Sequence, residues 1–123
     1  MTPARVPAIA NLAALTPAYK SKTEGYWADI GHVYIADEFD ARVVHSHYEP
    51  FNINLGGHYW KPDFLHILET GQQIIVEVKG TKRHKGFATS LIKIKDAARM
   101  FPYWTFVLAV GGAKGFELET INP

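Results

Sequence analysis

The run Gln73-Ile74-Ile75-Val76-Glu77-Val78-Lys79, closed by Gly80, limits the fold more than any other segment. Side chains alternate along a strand, so Ile74, Val76 and Val78 take one face while Ile75, Glu77 and Lys79 take the other. Apolar residues on both faces demand cover from both sides, which puts this strand in the interior of a layered sheet. Charge in such a strand is costly unless it is paired or used. Glu77 and Lys79 therefore need a reason to be there.

The flanking segments supply the layers. Ser21-Lys22-Thr23-Glu24 has capping-box spacing and precedes Tyr26, Trp27 and Ile30, which predicts a first helix from there to the low thirties. Val33-Tyr34-Ile35 fits either a helix or an extended segment. Between Ala41 and Leu55 the pattern turns to strands, broken at Pro50, and Gly56-Gly57 predicts a hairpin turn. His58 to Leu68 reads as the returning strand, with Pro62 at a bulge or unpaired position. Phe87, Leu91, Ile94 and Ala98 recur at helical spacing, with Lys93, Lys95, Asp96 and Arg99 elsewhere on the wheel. Pro102 stops that helix, and Trp104 to Val110 is a buried-type strand closed by Gly111-Gly112. A helix between the last two strands favours a right-handed parallel crossover. The expected fold is α/β, a mixed central sheet flanked by helices.

A chain of 123 residues with 47% hydrophobic and 20% charged residues is expected to form one domain with a real core. Residues 1–17 are expected to be a flexible arm before a single domain over 18–123, because Pro3, Pro7 and Asn11 interrupt the apolar stretch a leader would need. The absence of cysteine excludes disulfides, thiolate zinc sites and a thiol nucleophile, and it suits a reducing cytoplasm. No apolar run approaches the roughly 20 residues a spanning helix needs.

Turn geometry decides whether Asp63 joins Glu77 and Lys79. With Thr70-Gly71-Gln72 as a three-residue loop and Gly71 left-handed, Glu69 pairs with Gln73, Leu65 faces Glu77 and Asp63 faces Lys79. The three charged residues then share one face. A two-residue loop would put Asp63 on the other. Two carboxylates brought together repel, and a divalent cation removes the conflict. Magnesium prefers oxygen ligands and keeps waters, one of which can be activated, while a nearby lysine neutralises charge developing on phosphate. The plainer alternative is a same-face Glu77–Lys79 ion pair, with Asp63 a turn residue. Although the formal charge is only +1, Lys79, Lys82, Arg83 and Lys85 cluster with His84, a group able to meet phosphates or simply to be solvated.

Tyr59-Trp60-Lys61-Pro62-Asp63-Phe64 followed by Ile74-Ile75-Val76-Glu77-Val78-Lys79-Gly80 resembles the core signature of PD-(D/E)xK nucleases. Ser21-Lys22-Thr23-Glu24 resembles that family's first-helix motif. The likeness runs from about Tyr19 to Val110. It implies an α-β-β-β-α-β, restriction-endonuclease-like core. It also implies a magnesium-dependent DNA endonuclease in which manganese substitutes. Asp63, Glu77, Glu24 and a backbone carbonyl such as that of Val78 would hold the metal, with Lys79 serving the water and the transition state. Lys82, Arg83, Lys85 and Lys93 are the expected DNA contacts. The similarity extends to phage-type and junction-resolving endonucleases and to end-cleaving subunits of transposons. It implies a homodimer if both strands are cut. The rival readings are a non-cleaving nucleic-acid-binding protein of the same fold and a nuclease subunit of a larger recombination complex. No glutamine or tyrosine stands out on the second helix, which argues against a processive exonuclease.

Two smaller groups stand apart. His45-Ser46-His47 would put both rings on one strand face, where they could bind a metal, but no third ligand is identifiable. Asp37, Glu38 and Asp40 form an acidic run, with Glu38 in reserve as the first-helix acid. Tyr59, Trp60, Tyr103 and Trp104 are read as core or sheet-flank residues, and any exposed member could stack on a base.

Overall fold

A computed structural model describes residues 19–83 and 85–122; the arm expected over 1–17, and His84, lie outside them. In chain order the elements are α1 (Lys22–Phe39), β1 (Val43–Tyr48), β2 (Ile53–Asn54), β3 (Tyr59–Trp60), β4 (Phe64–Leu68), β5 (Gln73–Lys79), α2 (Phe87–Met100), β6 (Thr105–Gly112) and β7 (Gly115–Ile121). Five strands form the main sheet in the order β1-β4-β5-β6-β7, and β2 and β3 make a separate ribbon. The sheet is mixed: β5 and β6 run parallel across the α2 connection, and the other neighbours are antiparallel.

As its pattern requires, β5 is central and Ile74 to Val78 are buried. On one side Ile74, Val76 and Val78 pack with Trp27 and Ile35 of α1 and with Val107. On the other, Ile75 joins Ile94 and Ala97 of α2, Phe106 and Leu108, and Trp60 of the ribbon. Each such large apolar side chain contributes about 1.5–3 kcal/mol when withdrawn from water. The two cores clamp the strand that carries Glu77.

Several expectations are corrected. The first helix does not end in the low thirties: Val33-Tyr34-Ile35, open to either form, is helical and α1 runs on to Phe39, because Ile35 is fully buried and Tyr34 stacks on Trp27. The returning strand expected over His58 to Leu68 is cut in two at buried Pro62: β3 pairs with β2, while β4 enters the main sheet. Proline has no N–H to give a ladder, so the break falls there. The Gly56-Gly57 turn forms with both glycines at positive φ. Beyond Gly112 the chain turns back as an additional strand, β7, along the outer edge of β6.

The hairpin between β4 and β5 also differs in detail. Gly71 is left-handed, with φ 91°, but the loop is Glu69-Thr70-Gly71. The Gly71 N–H donates to the Leu68 carbonyl and the Leu68 N–H to that of Gln72. Pairing is therefore Leu65 with Ile75 and Phe64 with Val76. Carried one residue further, this register sets Asp63 across from Glu77 rather than Lys79. The shift is two residues, so the shared face survives. Among the described residues, no helix is long and apolar enough to cross a membrane.

Candidate active site

Asp63 lies just before β4, at the edge where β5 ends. Its Oδ2 accepts the Val78 N–H at 2.8 Å, so the backbone of β5 fixes the carboxyl group. The Glu49 N–H donates to the Asp63 carbonyl at 2.7 Å and fixes its main chain. Burial, then the negative charge of Glu77, push the Asp63 pKa up to about 8. Burial also raises that of Glu77, opposed by Lys79 and by a hydrogen bond from Asp63. Forced together out of water, each carboxyl disfavours the charge of the other, so the pair resists double ionisation.

Glu77 is 6% exposed, and its Oε1 is buried without a hydrogen-bond partner. Its Oε2 lies 3.7 Å from Lys79 Nζ. That is a loose pairing, and one lysine compensates one carboxylate at most. Trp60 Nε1 is also buried and unpartnered. Trp60 and Ser90 lie near enough to favour the charged form of Glu77, yet the Trp60 indole stops short of bonding geometry. Neither residue carried a sequence signal for this role: Trp60 read as a core aromatic, and Ser90 is a helix serine brought in by α2 packing.

Glu24 stands in the first turn of α1, which packs close to the end of β5: a Cβ on Gly80 would meet Thr23 Oγ1 at 3.3 Å. Only half of the expected capping box is built. Ser21 Oγ accepts the Glu24 N–H at 3.2 Å, but the Glu24 carboxylate accepts from Tyr48 Oη at 2.8 Å. Asp63 senses the charge of Glu24. Even so, no three His, Asp or Glu side chains among the described residues are gathered closely enough to hold a metal ion. Asp63, Glu77 and Lys79 are thus brought together, Val78 contributes its N–H to Asp63, and Glu24 stands nearby. Glu38 sits at the far end of α1, fourteen residues or roughly 21 Å along the axis from Glu24. It is no substitute for Glu24.

Lys82, Arg83 and Lys85 are exposed on the loop that leaves β5, and Lys93 lies one turn along α2 from Ser90. Lys82 also lines an open cleft of about 460 Å³ with Val110, Glu117 and Glu119. Register places that cleft on the sheet face of Glu77 and Lys79, which pair with Leu108 and Val110 and through them with Glu119 and Glu117. Tyr59 and Tyr103 are exposed at 64% and 73%, whereas Trp60 is buried.

The histidines divide by face. His45 and His47 stack with ring centroids 6.2 Å apart on β1. Buried His66 accepts from Trp27 Nε1 at 2.9 Å through Nε2 and meets Ser46 Oγ at 2.7 Å through Nδ1. The indole can only donate, so Nδ1 carries the proton and donates to Ser46. His66 is therefore not a base for Ser46, and the pair is not a nucleophile dyad.

No family model and no curated protein matches this chain. Among solved structures, the crystal structure of SSO0001 is similar with a TM-score of 0.42 at 18% identity, over 77% of this chain and 50% of that one. This chain spans half the length of that protein's chain.

Proposed function

We propose that the chain is a metal-dependent endonuclease of the PD-(D/E)xK kind, hydrolysing phosphodiester bonds in DNA. The observation that carries this reading is the Asp63–Glu77 pair. Two carboxyls are withdrawn from water against each other, with one Glu77 oxygen unpartnered and a single lysine beside them. A structural ion pair would explain Glu77 and Lys79 but would not explain why a second carboxyl, Asp63, is set beside Glu77.

The donor set fits magnesium or manganese: all oxygen, acidic, with one orphaned lone pair and no sulfur or paired imidazole. Asp63 and Glu77 would hold the ion. Bound there, it would lower the pKa of water and offset charge on the phosphate. Lys79, on the same face, places a cation where negative charge builds on the phosphoryl oxygens. The Val78 N–H keeps Asp63 in one orientation. Lys82, Arg83 and Lys85 offer phosphate contacts next to the centre, and Lys93 extends them along α2. Cutting both strands needs two centres, which a homodimer would supply. Work at a transposon end or DNA junction would place the chain in a larger assembly.

The test is purified protein on duplex, single-stranded, flapped and four-way DNA with magnesium, manganese, calcium or chelator. Cleavage of at least one substrate is expected with magnesium or manganese, and binding without turnover is expected with calcium, which activates water less well. Undiminished cleavage in chelator would refute the metal mechanism. Binding with no cleavage under any metal would favour the non-cleaving reading.

A further inference from the structure

Tyr48 lies at the end of edge strand β1 and reaches across to the first turn of α1. Its Oη donates to Glu24 Oε1 at 2.8 Å, and the Lys20 N–H donates to the same Oη at 3.2 Å. A phenol that accepts one hydrogen bond becomes a stronger donor in the next, so the chain polarises toward Glu24. The ring is fixed as well. It meets Tyr19 edge-on at 4.7 Å and Phe64, the residue after Asp63, at 5.2 Å.

The next residue ties this arrangement to the candidate centre. Glu49 is one of two non-glycine residues with positive φ among those described, at 46°. A left-handed conformation in such a residue is strained and persists where surroundings enforce it. Here its N–H holds the Asp63 carbonyl and its carboxylate pairs with Lys20 at 2.8 Å. Tyr48 and Asp63 are thereby held in one frame, with Glu24 attached to it through a single hydrogen bond. Glu24 is close enough for Asp63 to sense its charge, yet it does not complete a three-ligand group.

Resting on the nuclease reading, we propose that Tyr48 is a positioning residue. It holds the Glu24 carboxylate just outside the Asp63–Glu77 pair, as acceptor for the attacking water rather than as a direct metal ligand. In that hydrolysis the water oxygen bonds to phosphorus as the bridging P–O bond breaks. The leaving oxygen takes a proton from solvent, and the water's proton passes to solvent by way of Glu24. One Glu24 oxygen is committed to Tyr48, which leaves Oε2 to face the water.

The experiment compares the parent with Tyr48→Phe, Glu24→Gln, their double variant and Glu77→Gln. Manganese affinity is read by calorimetry without DNA, and single-turnover cleavage is read at saturating manganese. Phenylalanine keeps the ring contacts and removes only the hydroxyl. Tyr48→Phe and Glu24→Gln should each bind manganese within about threefold of the parent, whereas Glu77→Gln should lose at least tenfold. Their cleavage rates should fall by about tenfold or more, and the double variant should be no slower than Glu24→Gln alone. Tyr48→Phe cleaving like the parent would overturn the proposal. So would Glu24→Gln weakening manganese as much as Glu77→Gln, or rate losses that add in the double variant. If Tyr48→Phe melts early, Glu24→Gln decides alone: near-parent affinity with a lost rate supports the outer role, and lost affinity overturns it. A parent that neither binds manganese nor cuts DNA overturns the nuclease reading and this one with it; a parent that does both beside an unaltered Tyr48→Phe overturns this one alone.

Discussion

At the residue scale, burial does opposite things to two side chains, and their pH responses separate. Asp63 has its pKa raised to about 8, so between its unfolded value near 3.8 and that point the folded chain holds a proton the unfolded chain has released. Stability must fall as pH rises through that window, by at most about 1.4 kcal/mol per pH unit. In chelator, Asp63→Asn should raise the melting temperature at pH 7–8 and flatten this decline; a lower melting temperature there would assign Asp63 a structural role. His66 is pushed down to about 3 by burial, so the unfolded chain takes up a proton below about 6.5 that the folded chain refuses. Its contribution is lost as pH falls from 6.5 toward 3, opposite in sign to that of Asp63. The acid-side loss should persist in Asp63→Asn, and a His66 ring resonance titrating near 6.5 would contradict it. The Asp63, Glu77 and Lys79 face was legible because a two-residue slip preserves strand parity. Tyr48, Trp60 and Ser90 were not, since each reaches the centre from another element and none has a spacing that announces it.

At the element scale, Gly111-Gly112 shows why the last strand was hidden in the sequence. Two glycines read as the end of a strand, yet Gly111 meets a demand for close approach: a Cβ there would lie 2.0 Å from the Gly115 carbonyl oxygen and 2.7 Å from Phe116 Cα. Both neighbours are backbone, so the β6–β7 hairpin would have to shift. Gly111→Ala should cost about 2 kcal/mol or more, whereas Gly112→Ala, with open space at its Cβ, should stay within about 0.5 kcal/mol. Equal melting temperatures for the two would show a hairpin loose enough to yield at no cost. The Phe116-Glu117-Leu118-Glu119 alternation could have pointed to β7, because Phe116 packs into the α1-side core. The helices were legible from period and caps, but how far α1 continued depended on packing of Ile35 that no local pattern contains.

At the scale of the whole molecule, a formal charge of +1 means that the proposed attraction to DNA would rest on local patches. Neutralising Lys82, Arg83 and Lys85 together should weaken duplex binding and lower the logarithmic salt slope by about 0.9 for each phosphate that no longer meets a cation. An unchanged slope would move the binding surface toward Lys93. Since Lys82 shares its cleft with Glu117 and Glu119, its own share of that slope should be the least of the three. The central claim is that Asp63 and Glu77 exist to hold a divalent cation for phosphodiester cleavage, with Lys79 serving the transition state. Single-turnover cleavage by the parent, Glu77→Gln and Lys79→Ala, each with magnesium and with chelator, tests it most directly. The account predicts cleavage by the parent with magnesium alone. It predicts none by folded Glu77→Gln, and a rate for Lys79→Ala that falls far more than its DNA affinity. Magnesium-dependent cleavage by folded Glu77→Gln at the parental rate would contradict it.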